Sequence, residues 1–199
     1  MEVRGDGMKV LNNIFIVLAI SVACIIPFLE VKPYFIHLIS LSLIWVIMTQ
    51  GLNVIQGYTG YVSIAQASFF GIGAYASALL TTKIGLNFWL SLPISIIIAS
   101  IVGFLIGFIV LRTKGHYFSI VTMALCMVIW ILMENWSALT GGESGIANVT
   151  SPENTLGIDF SERTNYYFLI LSFAVLSILF VYRLINSKIG RALQTIKEN

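Results

Sequence analysis

Six long apolar runs make up most of the chain and alternate with short polar segments. A helix needs roughly 20 mostly apolar residues to cross the hydrocarbon core of a bilayer, which is about 30 Å thick. The pattern therefore predicts an all-α, polytopic transmembrane helical bundle of about six spans, in one domain over residues 1–199. The predicted spans are Val10–Leu29, Tyr34–Ile55, Val62–Leu80, Phe88–Leu111, Tyr117–Trp136 and Tyr166–Ile185.

The junction between the second and third predicted spans is unusually polar. Glycines and amide side chains interrupt the apolar pattern there, at Gly51, Asn53, Gln56, Gly57, Gly60 and Gln66. Irregular backbone at membrane depth must pack in protein or line a water-filled cavity, because unsatisfied polar groups in hydrocarbon are costly. Two interpretations stay open: a broken helix near residues 57–66 beside a translocation path, or an ordinary turn. On the first, the candidate path residues are Asn53, Gly57, Ser63 and Gln66.

Composition excludes most other classes of protein. Apolar residues make up 58% of the chain and charged residues only 10%, with a mean hydropathy of +0.93. Soluble domains carry about 25% charged residues. The net charge of +2 gives no reason to expect a nucleic-acid partner, so the expected surroundings are membrane lipid. Cys24 and Cys126 both lie in apolar runs and match no zinc-binding spacing.

Catalytic and metal-binding residue sets are missing from the sequence. It has too few polar side chains for paired carboxylates, a Ser-His-Asp set or a His/Cys/Asp/Glu cluster, so we expect no catalytic residue, no metal and no enzyme activity. Glu134 is the one acid near a span, and its position beside the following loop favours an interfacial site. No Walker loop is present either. Any ATP would have to be used by another chain.

The basic residues predict the orientation. With the N-terminus inside, the inner segments hold eight basic residues and the outer segments three, which favours cytoplasmic termini by the positive-inside rule. The inner set is Arg4, Lys9, Arg112, Lys114, Arg183, Lys188, Arg191 and Lys197, and the outer set is Lys32, Lys83 and Arg163. The long polar segment Ser137–Asn165 then faces outward, where it could meet a soluble partner.

The beginning of the chain allows two starts. The first apolar run continues to Leu29 with no small-residue cleavage site after it, which favours a span over a signal peptide. Met8, followed by the basic Lys9, is an alternative to Met1 as the initiating residue. Residues 1–7 would then be a dispensable extension.

Four motifs in order resemble one family of permeases. They are GLNVIQGYTGYVSIAQASFFGIGAY at 51–75, LRTKGHYFSIVT at 111–122, LTGGESG at 139–145 and IGRALQTIKEN at 189–199. Together they resemble the LivM-type permease subunit of branched-chain amino acid ABC importers. The resemblance covers most of the chain from Gly51 onward. Urea and short-amide permeases are similar at these motifs, so the sequence does not separate the two substrate classes.

The resemblance implies a heteromeric importer. Its members pair with a second, LivH-like permease subunit, two cytoplasmic ATPase subunits and an extracytoplasmic solute-binding protein, in the plasma membrane of a bacterium or archaeon. The chain would form half of the translocation path and bind no cofactor itself, with ATP used by the partners. It would contact the ATPase near Gly190, Arg191 and Ala192, and the binding protein near Thr140, Gly141 and Gly142.

The chain departs from this family in two places. Members commonly carry a Gly-Glu pair and an Arg in the fifth span, where this chain has Cys126, Met127 and Trp130. Members also continue well beyond Asn199, which suggests a sequence truncated at its C-terminus and leaves open a non-functional product. A self-sufficient channel or secondary transporter is a further alternative, because such proteins also use broken helices near their sites.

Overall fold

The computed structural model describes residues 21, 23–28, 32–113, 115–154 and 157–198, with side chains to Thr195. Most of the predicted first span Val10–Leu29, together with Met1 and Met8, lies outside these residues. The helices of the described part are α1 (Pro33–Leu52), continued by a π-helix (Asn53–Thr59), α2 (Gln66–Thr82), α3 (Phe88–Val110), α4 (His116–Asn135), α5 (Ser137–Thr140), α6 (Arg163–Ile185) and α7 (Lys188–Glu198), with 3-10 turns at Ile26–Phe28 and Gly142–Ser144.

The order and direction of these helices define two ends of the bundle. Residues 136–162 connect α4 to α6 at one end, which we call the loop end. The opposite end, which we call the α7 end, holds the connections at 60–65 and 111–115 and the helix α7 itself. α1, α3 and α6 run from the loop end to the α7 end, and α2 and α4 run back.

Four helices of the described part are long and apolar enough to cross a membrane. They are Pro33–Thr59 (α1 with the π-helix), α3, α4 and α6, and no more than 22% of the most apolar window of each is buried within the chain. Apolar side chains point outward on all of them, for example Phe104, Phe108 and Trp130, each more than 60% exposed. Such helices are suited to a surrounding of lipid or of other apolar helices. The chain is therefore a multi-pass membrane protein.

The predicted third span differs most from the structure. It was expected over Val62–Leu80, but α2 begins only at Gln66 and is 17 residues long. Gly60 has a left-handed backbone with φ of +76°, which ends the π-helix, and residues 61–64 are not helical. The chain turns at Gly60 and residues 60–65 connect α1 to α2, which runs back in the opposite direction, so of the two interpretations the structure has the turn between two helices.

The boundaries of the second, fourth, fifth and sixth predicted spans agree with the structure to within four residues. α3 begins where expected because the Asn87 side chain accepts a hydrogen bond from the Trp89 N–H at 2.8 Å and so caps the helix. α6 begins at Arg163, three residues before the predicted Tyr166. Pro33 at the first position of α1 is typical of a helix start, since proline has no N–H to leave unsatisfied.

Two helix pairs make up most of the packing. α1 packs on α6 through a buried cluster of Ile36, Tyr167 and Leu171. The Tyr167 hydroxyl donates a hydrogen bond to the carbonyl oxygen of Ala23 at 2.7 Å. This bond ties the segment before α1 to the α1–α6 pair. α2 packs on α3, with Ser77 and Ser91 in hydrogen-bond contact at 3.3 Å. The break at residues 60–65 lies at the α7 end of both pairs.

Candidate functional site

The break between the π-helix and α2 is held by hydroxyl groups of α4. The Ile64 N–H donates to Thr122 Oγ1 at 3.2 Å, and Ser119 Oγ donates to the Val62 carbonyl oxygen at 2.9 Å. Thr122 is buried and also donates to the Ser119 carbonyl oxygen at 2.9 Å. Residues 61–64 lie outside any helix, so their backbone N–H and carbonyl groups need partners of this kind.

Gln66, one of the predicted path residues, connects α2 to α1. Its Nε2 donates to the Met48 carbonyl oxygen at 3.3 Å, and the side chain lies against Gly51. A Cβ at Gly51 would stand 2.5 Å from Gln66 Nε2, so the glycine makes room for the amide. Gln66 is half-buried, and its amide is engaged with backbone of the neighbouring helix.

Asn53 and Gly57 lie together on the exposed side of the π-helix. A Cβ at Gly57 would stand 2.5 Å from Asn53 Oδ1, so the Asn53 side chain covers the glycine. A π-helix is rare and frequently marks a functional position, since its wider i→i+5 bonds cost stability. Of the four predicted path residues, these two form one contact pair, and Gln66 contacts a different part of α1.

Ser63, the fourth predicted path residue, lines a cavity of about 340 Å³ at the α7 end. We call this the inner cavity. Its walls are mostly apolar and come from the break, α2, α3, α4 and α7, with the hydroxyls of Thr59, Ser63 and Thr122 among them. Leu193 of α7 also lines it. Asn53, Gly57 and Gln66 are not among its lining residues, so the structure does not bring the four predicted residues into one site.

α7 carries the predicted ATPase-contact residues Gly190, Arg191 and Ala192. It packs against both the π-helix and the end of α6. Gly190 is buried, and a Cβ there would collide with the carbonyl oxygen of Ile185, so the tight α6–α7 connection requires glycine. Arg191 and Ala192 are exposed and available to another chain.

Sequence reasoning missed Ser187 and Leu193. Ser187 Oγ accepts the N–H groups of Ile189 and Gly190 at 3.2 and 3.4 Å, which caps α7. A serine three residues before the glycine of the last motif is a readable N-cap signal. Leu193 carries no such signal, because only the fold brings it to the inner cavity.

The predicted docking motif Thr140–Gly142 forms a tight turn at the loop end. The buried Thr140 hydroxyl donates to the carbonyl oxygens of Met133 and Trp136, and the Gly142 N–H donates to Thr140 Oγ1 at 3.3 Å. Gly141 has φ of +80°, and a Cβ there would collide with the Gly145 carbonyl oxygen. Lys83 Nζ donates to the Ala138 and Leu139 carbonyl oxygens and joins the turn to α2. The motif therefore has a fixed shape.

A second cavity, of about 620 Å³, opens at the loop end, and we call it the outer cavity. It lies between the starts of α1, α3 and α6, the end of α2, and residues 149–152 and 160–161 of the loop. Its lining combines hydroxyl groups with Arg163 and His37 and a few apolar side chains.

Within the described ranges, the structure brings together no group of three or more His, Cys, Asp or Glu side chains that could hold a metal ion. Apolar helices long enough to cross a membrane define a multi-pass membrane protein. The chain belongs to the family described as "Branched-chain amino acid transport system / permease component", whose model matches residues 34–199.

Two curated relatives have the same printed name, "High-affinity branched-chain amino acid transport system permease protein LivM". The protein from Escherichia coli (strain K12) is 33% identical over 98% of this chain and 51% of its own length. The protein from Salmonella typhimurium is 31% identical with the same coverage. The chain thus spans about half the length of the curated relatives it matches. No solved structure gives a significant match.

Proposed function

We propose that this chain is part of a LivM-type permease subunit in an ATP-driven importer of branched-chain amino acids. It contributes half of a translocation path, together with a LivH-like permease subunit. Two cytoplasmic ATPase subunits and an extracytoplasmic solute-binding protein complete the importer. The chain itself catalyses no reaction and binds no cofactor, and ATP is used by the partner subunits. Family membership supports the transport class.

The observation that carries this proposal is the contact of α7 with the π-helix and the inner cavity. The exposed Arg191 and Ala192 offer a docking surface to an ATPase, while Leu193 on the same helix lines the cavity. A force on α7 would therefore act on the helix break with no intervening element. This arrangement supports an importer driven by another chain, and so it disfavours a self-sufficient channel or secondary transporter.

The loop end faces the outside in this proposal, and both termini are cytoplasmic. The eight-to-three distribution of basic residues supports that orientation. The fixed turn at Thr140–Gly142 then offers a rigid contact to a binding protein, and α7 lies on the cytoplasmic side, in a bacterial or archaeal plasma membrane.

The lining of the inner cavity favours an aliphatic cargo over urea. Side chains such as Ile106, Val110 and Leu193 gain little from a small polar molecule, whereas a branched aliphatic group buries apolar surface against them. The same cavity supports Ser63 as a path residue.

The test is uptake into proteoliposomes. The chain, within its subunit, is reconstituted with the second permease subunit, the two ATPase subunits and the binding protein, and uptake of labelled leucine and of labelled urea is measured with and without ATP. We expect ATP-dependent uptake of leucine only. Urea uptake would identify the amide-permease alternative. Leucine uptake that does not depend on ATP would indicate a secondary transporter, and no uptake of either would indicate a non-functional product.

A further inference from the structure

The outer cavity has the size and composition of a small-molecule site. Its volume of about 620 Å³ lies within the roughly 300–1,000 Å³ typical of such sites. Apolar side chains including Ile36, Phe88 and Phe160 share its walls with serine, threonine and tyrosine hydroxyls.

The charge in this cavity is positive. Arg163 lines it, and none of its described lining residues is an aspartate or glutamate. Glu162 is the neighbour of Arg163 in sequence, but its Oε2 accepts a hydrogen bond from Asn165 Nδ2 at 3.2 Å and the residue does not line the cavity. A guanidinium offers two parallel N–H groups to a carboxylate, which is its preferred partner.

Several hydroxyls in the cavity already use their donor. Ser40 Oγ donates to the Ile36 carbonyl oxygen at 2.8 Å, and Thr81 Oγ1 donates to the Ser77 carbonyl oxygen at 3.0 Å. Each oxygen keeps lone pairs that can accept from a cationic ammonium group. The cavity therefore holds a partner for an anionic group and acceptors for a cationic one.

The loop side of the cavity is fixed to the bundle. Phe160 contacts Trp89 of α3 edge-on, with ring centroids 5.6 Å apart, and Trp89 Nε1 donates to the Glu153 carbonyl oxygen at 3.4 Å. These contacts hold both loop segments that line the cavity. Its shape is thus built before any ligand arrives, which lowers the ordering cost of binding.

We propose that the outer cavity is an entry site for an aliphatic α-amino acid in its zwitterionic form. Arg163 binds the carboxylate, the hydroxyl oxygens of Ser40 and Thr81 accept from the ammonium group, and the side chain lies against Ile36 and Phe88. The choice of an amino acid rests on the proposed function, whereas recognition of a carboxylate rests on Arg163 and the lack of acidic lining residues.

The test is protection of a cysteine in the cavity from a membrane-impermeant thiol reagent. Thr150→Cys is the reporter, because Thr150 lines the cavity and is exposed, and Cys24 and Cys126 are first replaced by serine. Membranes carrying the assembled importer are labelled without ATP, with leucine, leucinol (no carboxylate) or 4-methylpentanoate (no ammonium group). Ala147→Cys is the control, since Ala147 is exposed on the same loop but does not line the cavity.

We expect leucine to slow labelling of the Thr150→Cys reporter, 4-methylpentanoate to slow it more weakly, and leucinol to have no effect. The Ala147→Cys control should react equally under all conditions. Arg163→Gln should raise the leucine concentration for half-protection about 10- to 100-fold, and Arg163→Lys by less, because one charge-assisted bond is lost or weakened. Arg163 is exposed, so neither variant should prevent folding.

Three results would overturn the proposal. The Thr150→Cys reporter could resist the reagent, which would mean that another segment covers the cavity. Leucine could fail to protect it, or leucinol could protect it equally well. Because labelling needs no ATP, protection without leucine uptake would refute the importer function and keep the site, whereas uptake without protection would refute the site alone.

Discussion

Replacing Thr122 with valine tests whether hydroxyl groups hold the helix break. Thr122→Val keeps the shape of the side chain but removes the acceptor of the Ile64 N–H, which lies 58 positions away in sequence. The lost acceptor leaves a partly buried N–H unsatisfied, and such a loss costs about 1–2 kcal/mol. The donor bond from Thr122 to Ser119 within α4 contributes little, because that carbonyl already belongs to a helix.

A loss of this size corresponds to a melting temperature about 2–8 °C lower for a chain of about 200 residues. The assay heats samples of the purified protein in detergent to a series of temperatures. Size-exclusion chromatography then measures how much protein stays soluble at each temperature. Thr82→Val is the matched control, because Thr82 Oγ1 donates only to Ala78, within its own helix, at 2.7 Å. Equal melting temperatures for the two variants would refute the inference that α4 holds the break.

Three further predictions concern the other fixed contacts. Gly141→Ala should lower the free energy of unfolding by about 3 kcal/mol or more in a denaturant titration, since it combines a left-handed backbone with a collision against the Gly145 carbonyl oxygen. Gly51→Ala should lower the melting temperature by displacing Gln66, and Gln66→Ala should recover part of that loss in a double-mutant cycle. Leu193→Ala should lower the leucine imported per ATP hydrolysed about fivefold in proteoliposomes, because α7 loses its contact in the inner cavity.

Matched controls separate these effects from general damage. Gly85→Ala also places alanine at positive φ, +72°, but no atom stands within 4 Å, so it should lose only about 1–2 kcal/mol. Ile189→Ala removes a side chain that is 61% exposed on α7 and should leave the transport ratio unchanged. A Gly141→Ala loss no larger than that of Gly85→Ala, or equal ratios for the two α7 variants, would contradict the assigned contacts. If the losses in melting temperature from Gly51→Ala and Gln66→Ala simply add in the double variant, the contact between these two residues would be contradicted as well.

The local features of this fold could be read from the sequence, and the long-range ones could not. The bounds of α3 follow from an apolar run with Asn87 before it, and the interruption near residue 60 follows from glycines and amides in an apolar context. The start of α2 was predicted four residues too early because Val62 and Ile64 are apolar. Besides the left-handed Gly60, contacts with Ser119 and Thr122, more than 50 positions away, hold that stretch outside the helix.

The candidate site shows the same division. The glycine-rich motif at 139–145 predicts a turn, and the structure adds that Thr140 and Lys83 fix it. The last motif was expected to contact an ATPase, and the structure adds that it forms a helix, α7, whose Leu193 lines the inner cavity. The roles of Asn53, Gly57, Ser63 and Gln66 in a path, and of Gly190–Ala192 and Thr140–Gly142 in docking, stay predictions.

Residues 60–65 are bound to α4 by side-chain hydroxyl groups, and this has a consequence for how fast they move. Backbone bonds inside a helix are released only when the helix unwinds, whereas the bonds from Ser119 and Thr122 are released by rotating one side chain. Rotating a side chain displaces far fewer atoms than moving a helix, and collective movements of helices take microseconds to milliseconds. Residues 60–65 can therefore detach from α4 while every helix stays intact, and their amide hydrogens should exchange with solvent well before those of the helices on either side.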